Sequence, residues 1–204
     1  MPFEALWRWG LRSREWALGA NRSPDLSRDA DHRAGRASAR SEGARHEAAR
    51  MSAVTLSDAG AAQLPSVMAI MAESFDPAFG EAWSEAQCRG ILIMPGVWMT
   101  LGTLDGSAVG FTIARAIADE AELLLLGVRA GAQRRGVGTA LLQHFCDAAR
   151  TRGARRAHLE MRNGNSAAPM YSAAGFEQIG RRPNYYRGLD GQSFDALTLS
   201  RIVA

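Results

Sequence analysis

The feature that most constrains the fold of this chain is a run of apolar residues followed closely by a glycine-containing turn. The apolar run is LLLLGV, Leu123 to Val128, and the turn lies in QRRGVGTALL, Gln133 to Leu142. An unbroken apolar run is typical of a central strand buried on both faces. The residues after Gly136 have the apolar spacing of a helix. Strand, turn and helix in this order predict one βα unit of an α/β sheet.

The turn of this βα unit has the features of a pyrophosphate site. Gly136 and Gly138 permit a tight turn and a close approach of the backbone to a ligand. The helix they open directs its unpaired N–H groups and the positive end of its dipole at the same point, beside Arg134 and Arg135. The dinucleotide pattern G-x-G-x-x-G and the Gly-Lys-Ser/Thr ending of a P-loop are both absent. The alternative is a βα turn that uses glycine only for its shape.

The elements around this unit alternate between helical and strand periodicity. After residue 51 the pattern predicts a short strand, a helix with Asp58 as its N-cap, and a second helix capped by Ser84. Asp105-Gly106 is a hairpin signal between two antiparallel strands. The complete order is β-α-α-β-β-β-α-β-α-β-β, which predicts an α/β mixed sheet with one long crossover helix.

The first 50 residues differ in composition from the rest of the chain. The segment from Gly19 to Arg50 is mostly Arg, Ala, Ser, Asp and Gly, which cannot bury enough apolar surface to offset the entropy lost on ordering. Residues 1–18 carry Trp and Leu among arginines and favour a short amphipathic helix. We expect residues 1–50 to be a disordered tail or a mis-called extension ahead of a true start at Met51. Residues 51–204 are then one domain.

Composition and charge narrow the class of protein. No apolar run in the 204 residues approaches the ~20 residues that a membrane-spanning helix needs. Cys88 and Cys146 match no metal-binding spacing, so we expect no metal and a soluble, reduced, cytoplasmic protein. Residues 1–50 hold ten Arg against seven acidic residues, whereas residues 51–204 hold fourteen of each. Because the folded part is neutral, we expect neither nucleic acid nor a membrane as a partner.

The pattern Gln-x-x-Gly-x-Gly, from Gln133 to Gly138, resembles the acetyl-CoA loop of the GNAT superfamily of N-acetyltransferases. The element order resembles that family's acyl-CoA N-acyltransferase fold, a mixed central sheet with splayed middle strands and flanking helices. LEMR, MYSAAGF, RRPNYY and DGQSFDALTL are similar to segments of the bacterial ribosomal-protein-alanine N-acetyltransferases. The resemblance implies transfer of acetyl from acetyl-CoA to a protein N-terminal amine, with a ribosomal protein as substrate. The alternatives are a small-molecule amine acetyltransferase and a catalytically silent acyl-CoA-binding module.

The resemblance places acetyl-CoA along the end of the apolar strand and over the turn. Leu126, Gly127 and Val128 would pair with the pantetheine arm, and a backbone N–H at or beside Val128 would polarise the acetyl oxygen. Gly127 permits close approach and is expected to mark a bulge. Asn165 matches an asparagine that contacts the carrier in relatives, although its spacing to Tyr171 is one position shorter than usual. The pyrophosphate would lie on Arg134, Arg135, Gly136, Val137, Gly138 and Thr139.

The resemblance also assigns two residues to the chemical step. Strand alternation in AHLEMR places His158, Glu160 and Arg162 on one face, and the base of the subfamily is the glutamate of this motif. The alternative for Glu160 is an ion pair with Arg162. A rival base is Glu122 on the preceding strand, because some acetyltransferases use a glutamate there. Tyr171 corresponds to the tyrosine that protonates the departing thiolate, and its alternative is a packing tyrosine.

Four further side chains have weaker assignments. Tyr185 and Tyr186 lie in a region that borders the peptide groove in the subfamily, so we interpret them as substrate contacts. The alternative is a pair of strand tyrosines, one buried and one exposed. His144 is expected to be a surface or half-buried helix residue, and His158 is a residue that would tune Glu160.

Overall fold

The helices and strands follow the chain in the predicted order. The computed structural model describes residues 54–188 and 191–204, so the predictions for residues 1–50 and for Met51 lie outside the described residues. The elements are β1 (Thr55–Ala59), α1 (Leu64–Ser74), α2 (Glu85–Leu92), β2 (Val97–Leu104), β3 (Ser107–Ile117), β4 (Glu120–Val128), α3 (Val137–Thr151), β5 (Arg156–Arg162), α4 (Ala168–Ala173), β6 (Glu177–Arg187) and β7 (Ser193–Ile202).

The strands form one mixed sheet in the order β1-β2-β3-β4-β5-β7-β6. Only β4 and β5 run parallel, and α3 is the crossover between them. The predicted central position of β4 is confirmed. α3 packs on one face of the sheet, where Leu141 meets Gly110 of β3, and α1 packs on the other, where Phe75 at its end meets β4. The sheet is therefore covered on both faces around β3 and β4.

Strands β4 and β5 separate before either of them ends. Their parallel pairing begins at Glu120 and Arg156 and ends at Leu123 and Leu159. β4 continues to Val128 and β5 to Arg162. Between β3 and β4 the register shifts at Ile113/Ala114, so that Leu124 is the extra residue of a bulge. A bulge bends its strand, which accounts for the separation, and the predicted splay of the middle strands is confirmed.

The start of α1 differs from the prediction. Asp58 is not an N-cap, because it lies in β1 and pairs with Thr100 of β2. A short 3-10 turn, Ala61–Gln63, follows the strand, and α1 begins only at Leu64 with a proline in its first turn. The pairing of β1 with β2 outweighs the local capping preference of Asp58.

Two other local predictions are confirmed. Ser84 caps α2, with its Oγ accepting a hydrogen bond from the Gln87 backbone N–H at 3.3 Å. Asp105 and Gly106 join β2 to β3 with φ angles of 51° and 77°. Positive φ at both central residues is the geometry of the two-residue turn that matches strand twist.

The main core lies between the sheet and α3. Leu141, Leu142, Phe145 and Ala149 face inward, as predicted, and the Phe145 ring stacks on Trp98 of β2 with centroids 6.0 Å apart. Each buried leucine or phenylalanine of this set contributes about 1.5–3 kcal/mol of burial free energy. This packing fixes the N-terminus of α3 beside the end of β4. None of the helices in the described residues is long and apolar enough to cross a membrane.

Candidate active site

The N-terminus of α3 presents a row of open backbone donors. Gly136, its N-cap, has a φ of 80° and Arg134 a φ of 58°. The first helical bond is from the Ala140 N–H to the Gly136 carbonyl, at 2.9 Å. Within the described residues, no group accepts a hydrogen bond from the N–H groups of Gly136 to Thr139. These donors, the helix dipole and the exposed arginines make the turn suitable for a pyrophosphate.

The turn is fastened to the end of β4. The Gln133 side-chain amide donates a hydrogen bond to the Val128 carbonyl at 3.2 Å. The Arg129 N–H donates to the Val109 carbonyl of β3 at 2.8 Å. Because successive residues of an antiparallel strand direct their N–H groups to opposite sides, the Val128 N–H points away from β3 and toward the gap left by β5. This orientation supports the predicted donor at Val128, whose contact with the acetyl oxygen stays a prediction.

Two glycines that flank the gap lie close to side chains of neighbouring elements. A Cβ atom on Gly127 would lie 2.6 Å from Phe111 Cε1 and 3.2 Å from Phe75 Cε2. The bulge expected at Gly127 lies instead at Leu124, because Gly127 pairs regularly with Phe111. A Cβ atom on Gly138 would lie 3.0 Å from Met170 Sδ, so this glycine lets α3 approach α4 closely. Both residues therefore shape the walls of the gap.

Glu160 is tied to the edge of the sheet. Its Oε1 accepts hydrogen bonds from Arg182 Nε at 2.9 Å, from Arg182 Nη2, and from Thr198 Oγ1 at 3.2 Å. The alternative pairing with Arg162 is wrong. Arg162 Nε lies 3.5 Å from Glu81 Oε1 instead. The cause is topological, because β7 inserts between β5 and β6 and brings Arg182 across to Glu160.

Glu122 lies on the same face of the sheet, on β4. Its Cα pairs with that of His158, next to the last registered pair before the strands separate. Arg115 Nη2 lies 3.6 Å from its Oε2, and its side chain is 20% exposed. In the described residues no group donates a hydrogen bond to this carboxyl. Burial raises the pKa of Glu122 to about 7; the charge of Arg115 lowers it and that of Glu160 raises it.

Tyr171 faces the core from α4. Its ring packs edge-on against Phe176 at 6.2 Å between centroids, and the residue is 8% exposed. Burial raises the pKa of Tyr171 to about 12, with a smaller contribution from the charge of Glu81. The phenol therefore keeps its proton at neutral pH, as an acid must. Pro169 lies in the first turn of α4, where its missing N–H costs no helical hydrogen bond.

Asn165 stands at the start of α4. Its Oδ1 accepts a hydrogen bond from the Ala167 N–H at 2.9 Å. The side-chain carbonyl is thus used in a local turn, in the way that asparagine commonly supports helix starts. The predicted contact of Asn165 with the carrier stays a prediction.

The tyrosines of β6 border the face that carries the two glutamates. The rings of Tyr185 and Tyr186 meet edge-on at 5.2 Å, and the Arg182 guanidinium lies 4.4 Å above the ring centre of Tyr185. Tyr186 is 6% exposed, which matches the buried member of a strand pair. Tyr185 is half-buried and stays the better prediction for a substrate contact.

Phe79, Glu81 and Phe194 are residues of this region that were not identified from the sequence. Glu81, in the segment between α1 and α2, approaches Arg162, whose guanidinium lies 3.6 Å from the centre of the Phe79 ring. Phe79 meets Phe194 of β7 at 5.4 Å. The segment between α1 and α2 thereby packs against β7 and the end of β5. These contacts join distant parts of the chain, so no local pattern signals them.

The two histidines lie on different elements, His144 on α3 and His158 on β5 beside Glu122. His144 is half-buried on α3, as predicted. His158 Nε2 lies 3.5 Å from Glu120 Oε1, and burial lowers the pKa of His158. Its ion partner is Glu120, and the tuning of Glu160 by His158 stays a prediction. Among the described residues no group of three His, Cys, Asp or Glu side chains is placed to hold a metal ion.

A splayed mixed sheet with an open helix N-terminus beside the splay defines an α/β transferase fold of the acyl-CoA type. The chain belongs to the acetyltransferase (GNAT) family, whose family model matches residues 64–176, more than half of its length.

Curated relatives add a closer similarity. The chain is 37% identical over 99 residues to the [ribosomal protein bS18]-alanine N-acetyltransferase of Escherichia coli K12, covering 48% of this chain and 66% of that protein. It is 38% identical over 101 residues to the N-alpha-acetyltransferase RimI of Mycobacterium tuberculosis, covering 49% of this chain and 60% of that protein. The matched segments thus span just under two thirds of these relatives' lengths.

The solved structure of the Escherichia coli ribosomal-protein-S18-alanine N-acetyltransferase has a similar fold. It superposes with a TM-score of 0.67 and 31% identity, covering 74% of this chain and 95% of that structure. The superposed part is longer than the family-model match, which ends at residue 176.

Proposed function

We propose that this protein transfers acetyl from acetyl-CoA to the N-terminal amine of a protein, with a ribosomal protein as substrate, in the cytoplasm. One observation carries this proposal: a gap between β4 and β5 joins open backbone donors at one end to two carboxylates at the other. The names of the relatives support the acceptor, since they act on ribosomal protein bS18 or on an α-amino group.

Acetyl-CoA would bind along the β4 side of the gap. The open donors from Gly136 to Thr139 suit its pyrophosphate, and Arg134 and Arg135 add charge. Leu126 to Val128 would pair with the pantetheine arm as an added strand. When bound, this co-substrate supplies the activated acetyl group.

Glu160 and Tyr171 are the residues that we propose act on the reacting groups. A free α-amino group has a pKa of ~8, so most of it carries one extra proton at neutral pH. The carboxylate of Glu160, on β5, attracts this ammonium. The proton that the nitrogen gives up before it attacks passes to Glu160 or to its rival Glu122, directly or through water. Tyr171, which keeps its proton, supplies it to the sulfur that leaves.

The charge balance of the site favours a protein N-terminus over a small polycationic amine. Three carboxylates lie around the gap, and each faces one guanidinium: Glu81 with Arg162, Glu122 with Arg115, and Glu160 with Arg182. The site therefore has little net negative charge to attract several ammonium groups at once. A single α-amino group on an extended peptide meets this requirement.

The test is acetylation of peptides by the full chain. Purified protein is incubated with acetyl-CoA and peptides that copy the N-termini of ribosomal proteins, and the products are analysed by mass spectrometry. Controls are the same peptides with blocked N-termini and with internal lysines only. We expect one acetyl group on the α-amine. Acetylation of small amines and of no peptide would show that the acceptor is a small amine and not a protein N-terminus. Binding of acetyl-CoA without any transfer would indicate a catalytically silent binding module.

A further inference from the structure

Glu160 and Glu122 differ in the hydrogen bonds that their carboxyls receive, and this difference suits them to different tasks. Glu160 Oε1 receives three donors, two from Arg182 and one from Thr198. Glu122 receives none in the described part of the chain, and its single ionic neighbour, Arg115, lies at 3.6 Å. A carboxylate that is held by charged donors keeps its negative charge, whereas a desolvated one without donors readily takes up a proton.

The two carboxyls are close enough to influence each other. They lie on adjacent parallel strands and on the same face, and Glu122 pairs with His158, two residues before Glu160. The charged and titratable groups around Glu122 are Arg115 on β3, Glu120 on β4, His158 and Glu160 on β5, and Arg182 and Tyr185 on β6.

We propose that Glu122 and Glu160 act as a pair, in which Glu160 binds the acceptor ammonium as a fixed anion and Glu122 takes up the proton that the amine gives up. This inference rests on the proposed function. The proton moves from nitrogen to Glu122, directly or through water. The N–C bond then forms, the C–S bond breaks, and the thiolate takes its proton from Tyr171. The second proton of the nitrogen leaves as the amide forms and returns the Tyr171 phenolate to its neutral form through water. Arg182 is a positioning residue, because it holds Glu160 and touches no reacting atom.

The pair is tested by pH profiles of kcat/KM with the full-length protein and an N-terminal peptide. We expect an acid limb near pH 7 in the unmodified enzyme. Glu122→Gln should lower kcat/KM at pH 7 by ~10²–10⁴-fold and abolish this limb, with partial recovery at alkaline pH where the amine is already neutral. Arg115→Leu should move the limb to higher pH, because it removes a positive charge beside Glu122.

Glu160→Gln should behave differently. It should raise KM for the peptide and keep the acid limb, shifted to lower pH, because Glu122 loses a negative neighbour and Arg182 loses its partner. Glu177→Gln, an exposed change on β6, is the control and should leave the profile unaltered. The pairing is refuted if Glu160→Gln abolishes the limb while Glu122→Gln keeps it with near-normal turnover, since Glu160 would then be the sole base.

A second measurement does not depend on turnover. Carbon-13 NMR follows the titration of glutamate carboxyls in the resting full-length protein. The resonance of Glu122 is identified as the one that is missing from the spectrum of Glu122→Gln. We expect a titration midpoint near 7. A midpoint at the ordinary glutamate value would overturn the assignment. If the enzyme acetylates a small amine and no peptide, the proposed acceptor fails, and the same profiles run with that amine decide the pair.

Discussion

Burying Glu122 should cost the protein stability at neutral and alkaline pH. A carboxyl whose pKa is raised on folding, here from 4.5 to about 7, favours the folded state only while it is protonated. Its stabilising effect is complete below pH 4.5 and is lost as the pH rises through 7. Glu122→Gln mimics the protonated form at every pH. The stability of this variant relative to the unmodified protein should therefore increase with pH.

The magnitude follows from the two pKa values. A shift of one unit corresponds to ~1.4 kcal/mol, so the full penalty above pH 8 is about 3 kcal/mol. At pH 5 the penalty is ~1 kcal/mol, because the carboxyl is largely ionised in the unfolded protein but protonated in the folded one. Between pH 5 and pH 8 the free energy of unfolding of Glu122→Gln should therefore rise relative to the unmodified protein by about 2–3 kcal/mol.

The assay is urea unfolding followed by circular dichroism at pH 5, 6, 7 and 8, with both proteins in the same buffers. Only the pH dependence of the difference in unfolding free energy between the two proteins is interpreted. Its absolute value also contains the changed contact between the new amide and Arg115. The exposed variant Glu177→Gln is the matched control and should show no such trend. A difference between Glu122→Gln and the unmodified protein that is flat across this range would refute the reasoning that Glu122 is buried without adequate partners.

Four further predictions address the gap and the domain boundary. Gly136→Ala should raise KM for acetyl-CoA more than KM for the peptide in steady-state assays, because alanine at a φ of 80° costs ~1–2 kcal/mol where the donors are arranged; equal effects would indicate general misfolding. Gly127→Ala should lower the urea-unfolding free energy by ~1–3 kcal/mol through its clash with Phe111, whereas Gly131→Ala, which has open space around it, should not. Tyr171→Phe should lower turnover at every pH of a rate profile without alkaline recovery, because the ring packing is kept and only the proton is lost; normal turnover would mean that Tyr171 only packs. Residues 51–204 should fold and acetylate as well as the full chain, and an inactive or insoluble fragment beside an active full chain would show that the first 50 residues are needed.

Local patterns in the sequence were sufficient for most of the fold. The apolar run Leu123 to Val128 predicted the central strand, and the glycine turn after it predicted the start of α3. Ser84 and Asp105-Gly106 were equally informative, because caps and hairpin turns depend on residues close together in the chain. Asp58 shows the limit of such reasoning, since pairing with a distant strand changed its place.

The partners of the charged residues were decided only by the tertiary structure. Alternation placed Glu160 on the correct face, but its partner proved to be Arg182, because β7 lies between β5 and β6. The bulge at Leu124 and the ring of Phe111 against Gly127 likewise depend on the register of β3 with β4. Hydrophobic periodicity repeats within each element and can be read locally. The protonation of Glu122 depends on burial and on charges from three other strands, which come together only when the sheet forms.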